Sequence, residues 1–155
     1  MLDYAYERAR NRGGVYISSN EKSVAFCFSP TKGSFSLREL FTEIRFGISV
    51  SFVKSLKTLK RQSKISRCRK SGPHLLFWFF GAIKDNNGSS YELMKELFEE
   101  SAQLNIPILA ETSIDKNRRV YERFGFHTYN IYDDGDGPRL WMMIRPPCYK
   151  MRPFN

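Results

Sequence analysis

Cysteine is scarce and scattered: Cys27, Cys68 and Cys148 stand far apart, with no C-x-x-C pair among them. The two histidines, His74 and His127, are not spaced as metal ligands. That pattern excludes a disulfide framework, gives no metal site, and predicts free thiols in a reducing, cytoplasmic compartment. Proline and glycine are few, at 7 and 10, which excludes collagen and Pro/Gly low complexity. Long apolar runs are missing too. The longest, Leu75 to Ile83, falls well short of the roughly 20 residues a membrane-spanning helix needs. The first ten residues are charged and lack an apolar h-region, so they do not read as a signal peptide. A soluble protein without a membrane partner is expected.

What is present is more informative. Hydrophobic residues make up 41% and aromatics 15% of 155 residues, a composition that disordered chains do not have. The length predicts one domain, residues 1–147, followed by a tail over 148–155. Acids are the minority charge: 16 Asp+Glu stand against 25 Lys+Arg, a net +9. A small basic domain meets something anionic, whether nucleic acid, acidic lipid or a phosphorylated cofactor, and the sign does not choose among them. The basic residues concentrate between Lys54 and Lys70, a stretch with no acid at all. It reads either as a solvated helix face running into a mobile loop or as a footprint for phosphates or an acidic partner.

Along the chain, residues 2–11 read as the end of a helix stopped by Gly13-Gly14. Val15–Ser18 and Val24–Phe28 flank a polar turn and predict a β-hairpin. After a loop from Pro30 to Ser36, Ser36-Leu-Arg-Glu39 reads as a capping box opening a helix that Gly47 ends. A second helix follows, with Phe52, Val53, Leu56 and Leu59 on one face. Ser71-Gly-Pro73 breaks the chain. His74–Ile83 then reads as a strand buried on both faces, because nearly every side chain is apolar. Ser89-Ser-Tyr-Glu92 reads as a second capping box, and its helix turns Leu93, Met94, Leu97, Phe98 and Leu104 inward until Asn105. A strand at Ile108–Glu111, a helix at Lys116–Phe124 ended by Gly125, a strand at Phe126–Asp133 and a last strand at Leu140–Arg145 complete the order. Strand–helix–strand units imply a parallel pair, and closely connected strands at either end imply antiparallel ones. The expected fold class is α/β (α+β), a mixed, twisted central sheet flanked by helices.

Two features carry chemistry. The strand, polar turn and helix start at 75–94 form a unit able to bind phosphate through helix N–H groups, with Gly88 permitting close approach and Ser89 and Ser90 adding hydroxyls. On the later helix, Asn117 and Tyr121 are four residues apart and share a face. An amide there can hold an amide-bearing ligand, and a phenol can donate a proton. Equally, the pair reads as a surface Asn and a half-buried Tyr of an amphipathic helix.

Glu111-Thr-Ser, the Asn117-x-x-x-Tyr121 pair, Glu122-Arg-Phe-Gly-Phe126 and Arg139-Leu-Trp-Met-Met-Ile-Arg145 resemble the second half of the GNAT superfamily of acetyl-CoA-dependent N-acetyltransferases. The Leu75–Met94 segment is similar to that superfamily's cofactor-binding strand, pyrophosphate loop and helix. The resemblance covers 75–145 well and the earlier hairpin and helices more loosely. It implies an acetyltransferase that takes acetyl-CoA as acyl donor and a small-molecule or protein amine as acceptor. The pantetheine arm would lie against Phe80, Gly81 and Ala82, in a gap beside the strand that starts near Ile108. The pyrophosphate would sit on Asn87, Gly88, Ser89 and Ser90. Asn117 would meet the arm and Tyr121 would protonate the leaving thiolate. Glu111 and His127 are candidate bases by residue type, Glu111 through a water.

The chain departs from the family pattern in places. Asp85 stands where the family has Gln or Arg, Ser90 stands where it has Gly or Ala, and the loop looks short. A carboxylate beside a pyrophosphate is repulsive. The family's opening strand and most of its first helix have no counterpart, which fits an N-terminally truncated or divergent member. These departures sustain an alternative: a GNAT-like fold with weakened cofactor binding, serving as a basic module for an acidic protein or nucleic acid.

Overall fold

A computed structural model describes residues 2–29, 52–84, 88–135 and 137–148. Its elements follow in the order α1 (Leu2–Arg10), β1 (Val15–Ile17), β2 (Ser23–Phe28), α2 (Phe52–Cys68), β3 (Leu75–Ala82), α3 (Ser89–Leu104), β4 (Ile108–Thr112), α4 (Asp115–Arg123), β5 (His127–Tyr132) and β6 (Leu140–Arg145). The helix expected from Ser36 to Gly47 and the loop before it lie outside the described residues. So do the side chains of Phe52, Val53, Leu56 and Leu59.

Six strands form one sheet in the order β1-β2-β3-β4-β6-β5. Only β3 and β4 are parallel; the remaining neighbours are antiparallel. The expected mixed sheet flanked by helices is therefore borne out. The parallel pair follows from chain economy, since β3 and β4 are joined by α3, a crossover long enough to bring the chain back to the same end.

Alternation along each strand builds two cores. On one face Leu75, Phe77, Ile108, Ala110 and Met143 pack against Leu93, Met94, Leu97 and Phe98 of α3, with Tyr121 and Phe124 closing from α4. Each such buried side chain contributes about 1.5–3 kcal/mol relative to exposure. On the other face Phe26, Phe28, Leu76, Leu109 and Ile144 pack with Ala9 of α1. α2 covers this second face as well, because Glu111, which it contacts through Arg69, alternates with Ala110 of the first core.

The helix ends show where local rules held. Asn105 adopts the left-handed conformation at the end of α3 (φ 52°), and Gly125 does so after α4 (φ 88°). The capping box expected at Ser89-Ser-Tyr-Glu92 is not formed. Gly88, left-handed at φ 79°, stands at the N-cap with no side-chain cap bond. The two groups that would cap the helix are claimed by the hairpin: the Ser89 hydroxyl shares a 2.7 Å hydrogen bond with that of Ser23, and the Glu92 carboxylate accepts from Ser19. The Tyr16 hydroxyl likewise donates to Glu100, and the Ser90 hydroxyl also lies 3.3 Å from that of Ser23, so four polar ties among the described residues hold the hairpin against α3. Within the basic stretch α2 stays helical through Cys68, and Arg61 and Arg69 tie it down to Asp134 and Glu111.

Candidate active site

β3 and β4 run together for only three residue pairs: Leu75 with Ile108, Leu76 with Leu109 and Phe77 with Ala110. Beyond that, β4 stays on β6 through Thr112, while β3 stays on β2 through Ala82. The two strands fork. The cause lies on the β2 side of β3. Phe77 pairs with Cys27 and Phe79 with Phe26, so the register slips by one at Trp78, whose ring meets that of Phe28 edge-on at 5.8 Å. A bulge of this kind bends the strand and sharpens its twist. Here it sits one residue beyond the last pairing with β4.

The fork overturns part of the strand's expected burial. Leu75, Leu76 and Phe77 are buried, but Trp78 is 38% exposed and Phe79 through Ala82 are half-buried or exposed. An apolar run marks a strand enclosed on both faces only while both neighbours remain alongside, and here one of them leaves. Phe80, Gly81 and Ala82 lie on the diverging arm. Among the described residues their backbone pairs toward β2 alone, so the β4 side of the arm carries no strand there that an extended chain with amide groups would have to displace.

Tyr121 stands at the fork. Its ring meets that of Phe77, the last paired residue of β3, edge-on at 5.9 Å, and that of Phe126 at 5.6 Å. Burial pushes its phenol pKa above the ordinary value, so the group is neutral and protonated at physiological pH. No side-chain hydrogen bond engages its hydroxyl among the described residues. Asn117 lies one helical turn earlier on α4 and is half-buried. Around them α4 is held by exposed charge pairs, Arg118 to Asp115 at 2.8 Å and Arg118 to Glu122 at 2.5 Å, and Arg118 also lies over the Trp141 ring. These ties lower the Asp115 carboxyl pKa, through the Arg118 hydrogen bond first.

The segment expected to hold a phosphate is built differently from expectation. Asn87 and Asp85 lie outside the described residues. Gly88 is exposed and left-handed, as a close backbone approach requires. Ser89 is buried, and its hydroxyl, like that of Ser90 at 3.3 Å, is directed to Ser23. The two serines thus tie the start of α3 to the hairpin. What they can offer a phosphate is the helix end rather than two hydroxyl donors.

On the opposite face of the sheet, Glu111 is the carboxylate nearest the fork in register. The β3–β4 ladder stops at Phe77 with Ala110, so Trp78 and Glu111 are the next residues on the two diverging strands. Glu111 is held by Arg69 in a two-pronged pair, 2.5 Å to Nε and 3.0 Å to Nη2, with both side chains about one-seventh exposed. Tyr129 of β5 lies beside this pair. Its phenol pKa is raised chiefly by burial and further by Glu111, against the opposing effects of the Lys70 backbone N–H and Arg69. The Arg69 pair was invisible in the sequence because its partners are 42 residues apart. His127 is exposed on β5, the edge strand, with β4 and β6 between it and the fork, so the structure does not bring it to Tyr121.

A six-stranded mixed sheet forked between its parallel strands, with helices on both faces, is a GNAT-type fold. Solved structures with this architecture match the chain at low identity. An arylalkylamine N-acetyltransferase 2 from Aedes aegypti is 13% identical, with a TM-score of 0.58 over 91% of this chain and 78% of its own. The C-terminal condensation domain of Ebony, in complex with beta-alanyl-dopamine, is 10% identical, with a TM-score of 0.59 over 94% of this chain and 78% of its own. A histone acetyltransferase HPA2 and related acetyltransferase from Corynebacterium glutamicum is 15% identical, with a TM-score of 0.50 over 88% of this chain. This chain spans 64% of that structure's length. No protein-family model matches the chain, and no curated protein sequence matches it. No helix among the described residues is long and apolar enough to cross a membrane.

Proposed function

We propose that this protein is an N-acetyltransferase that moves the acetyl group of acetyl-CoA onto a primary amine. The observation that carries this reading is the fork: parallel strands that part after Phe77 and Ala110, with a half-buried, protonated phenol packed on the last paired residue. One of the similar structures is described as an arylalkylamine N-acetyltransferase and another as a histone acetyltransferase and related acetyltransferase, which is the same direction of inference.

The residues fit such a donor. The diverging arm of β3 at Phe80, Gly81 and Ala82 has unmatched backbone on the side where a pantetheine arm would add like a short strand. Gly88 and the start of α3 are the phosphate end, and Asn117 faces the arm from α4. The donor supplies an activated acyl group and a thiolate leaving group. From the opposite face, past Trp78 and Glu111, a neutral amine attacks the thioester carbon. A C–N bond forms, and the C–S bond breaks as the intermediate collapses. Tyr121 gives its phenolic proton to the departing sulfur, the attacking nitrogen releases one of its two protons to water, and water returns a proton to the Tyr121 phenolate. Glu111 remains the acid beside that path. Paired with Arg69, it acts by ordering water rather than as an unencumbered base. The fold thus contributes positioning and proton delivery, the terms that dominate when the nucleophile is already reactive.

A basic binding module without catalysis would rest on α2 alone and would leave the fork and its phenol unexplained. Thiol release from acetyl-CoA tests the proposal when measured with a panel of small amines and short peptides, with the acetylated product weighed by mass spectrometry. Amine-dependent release is expected. Silence across the panel, together with no acetyl-CoA binding at millimolar concentration, would overturn it.

A further inference from the structure

The basic helix is not absorbed by the transferase chemistry, and its side chains divide sharply. Arg61 is pinned to the β5–β6 connection, with 3.2 Å to Asp134, 2.6 Å to the Pro138 carbonyl and a position over the Tyr132 ring. Arg69 holds Glu111, and Lys70 lies over Tyr129. Ile65 is buried. This inward stripe fixes α2 against the sheet, with its C-terminal end at the fork. Lys60, Lys64 and Arg67 form a different stripe, at i, i+4 and i+7. All three are exposed, and none makes an ion pair among the described residues. They span about 10 Å at 1.5 Å per residue.

Elsewhere the surface mixes its charges. Lys95 faces Glu99, Arg119 faces Asp115 and Arg139 faces Asp133. The chain has 16 acids and places none between Lys54 and Lys70. A helix surface built for solubility alone gains from interspersed signs, whereas three unmatched cations on one line are repulsive unless something anionic lies along them.

We propose that this stripe of α2 is a docking surface for an acidic polypeptide, and that the amine acetylated is on that polypeptide. The second half rests on the acetyltransferase reading. The stripe ends at Arg67, two residues before Arg69, which holds Glu111 at the mouth of the fork, so a chain lying along α2 delivers its amine to the fork. A nucleic acid is the lesser fit. Single strands are held by aromatic platforms on which bases stack, and the exposed residues of the described half of α2 are Lys60, Gln62, Ser63, Lys64, Ser66 and Arg67, with no ring among them.

The test uses a labelled peptide with a free α-amino group followed by a run of Asp and Glu, a neutral peptide of equal length, a small amine and a single-stranded RNA 12-mer. Anisotropy reads binding, and acetyl transfer reads KM. Changing Lys60→Glu, Lys64→Glu and Arg67→Glu together should weaken acidic-peptide binding and raise its KM roughly tenfold or more, from three lost attractions turned to repulsions. Raising salt should do the same to the parent protein. Turnover of the small amine should stay unchanged, and a thermal melt reports whether the variant folds. The triple change to Gln, which removes charge without reversing it, should give an intermediate loss. Equal affinity of parent and variants for the acidic peptide would overturn the proposal. So would RNA binding that depends on these three residues while the acidic peptide fails to bind. Peptide binding through α2 with no amine acetylated by the parent protein would support the surface and count against the transferase reading.

Discussion

Replacing Tyr121 by Phe isolates the one atom assigned to proton delivery. The ring's packing on Phe77 and Phe126 is retained, and the lost hydroxyl makes no side-chain hydrogen bond among the described residues. Stability should therefore change by less than about 1 kcal/mol, within the range of a single net hydrogen bond. Loss of a positioned general acid costs roughly 10²–10⁴ in rate, or about 3–5 kcal/mol of transition-state stabilisation at 1.36 kcal/mol per tenfold. Steady-state acetyl transfer should show this fall in kcat with the KM for acetyl-CoA nearly unchanged, because the ring still fills the fork. Tyr121→Ala should lose both rate and stability, since it also removes a partly buried ring. The pH profile gives an independent check. Burial raises the phenol pKa, and the active form is the protonated one, so activity persists through neutral pH and is lost only as pH rises through that raised value. A Tyr121→Phe enzyme with kcat within threefold of the parent would refute the assignment, as would a parent activity lost through this residue below the ordinary tyrosine range.

Further consequences follow from the contacts around the fork. Ser23→Ala strips the buried partner from Ser89 and Ser90, so acetyl-CoA KM should rise several-fold with kcat little changed, at a stability cost of about 1–3 kcal/mol; initial-rate kinetics and a urea melt measure both. Arg69→Met should cost about 3–5 kcal/mol by leaving the Glu111 carboxylate unpaired, and adding Glu111→Leu should recover most of it. A double variant no more stable than the single one would contradict the pairing. Gly14→Ala should fail to fold well. A Cβ there would lie 2.3 Å from the Cys27 carbonyl oxygen and 2.5 Å from the Phe28 Cβ, forcing α1 away from β2, and a melting curve indistinguishable from the parent would show that contact to be wrong.

The sequence made some of this legible and hid the rest, for physical reasons. β6 falls at Leu140–Arg145 as expected, and α4 begins one residue earlier than expected. In that half of the chain, hydrophobic period, capping glycine and turn residues agree with one another. The fork itself was implied only by resemblance. An unbroken run such as Leu-Leu-Phe-Trp-Phe-Phe carries no mark of the bulge at Trp78, because every residue in it suits a strand. The expected capping box failed for a related reason. Ser89 has the right spacing to Glu92, yet a hydroxyl on Ser23, 66 residues away, competes for it, and local rules cannot see that competitor. The basic stretch looked uniform in sequence. Only the packing of α2 separates the cations that hold the helix down from the three that face outward. Site chemistry was legible where one helix carries it, as with Asn117 and Tyr121. It was obscure where partners meet across the sheet, as with Arg69 and Glu111.

The most direct measurement is amide hydrogen exchange of the whole protein with and without saturating acetyl-CoA, beside a calorimetric titration. One-to-one binding is expected, with slowed exchange at Trp78–Ala82 on β3, at the start of α3 and around Asn117 and Tyr121. An absence of heat at millimolar donor would contradict the account, as would protection confined to other strands with the β3 arm exchanging as before.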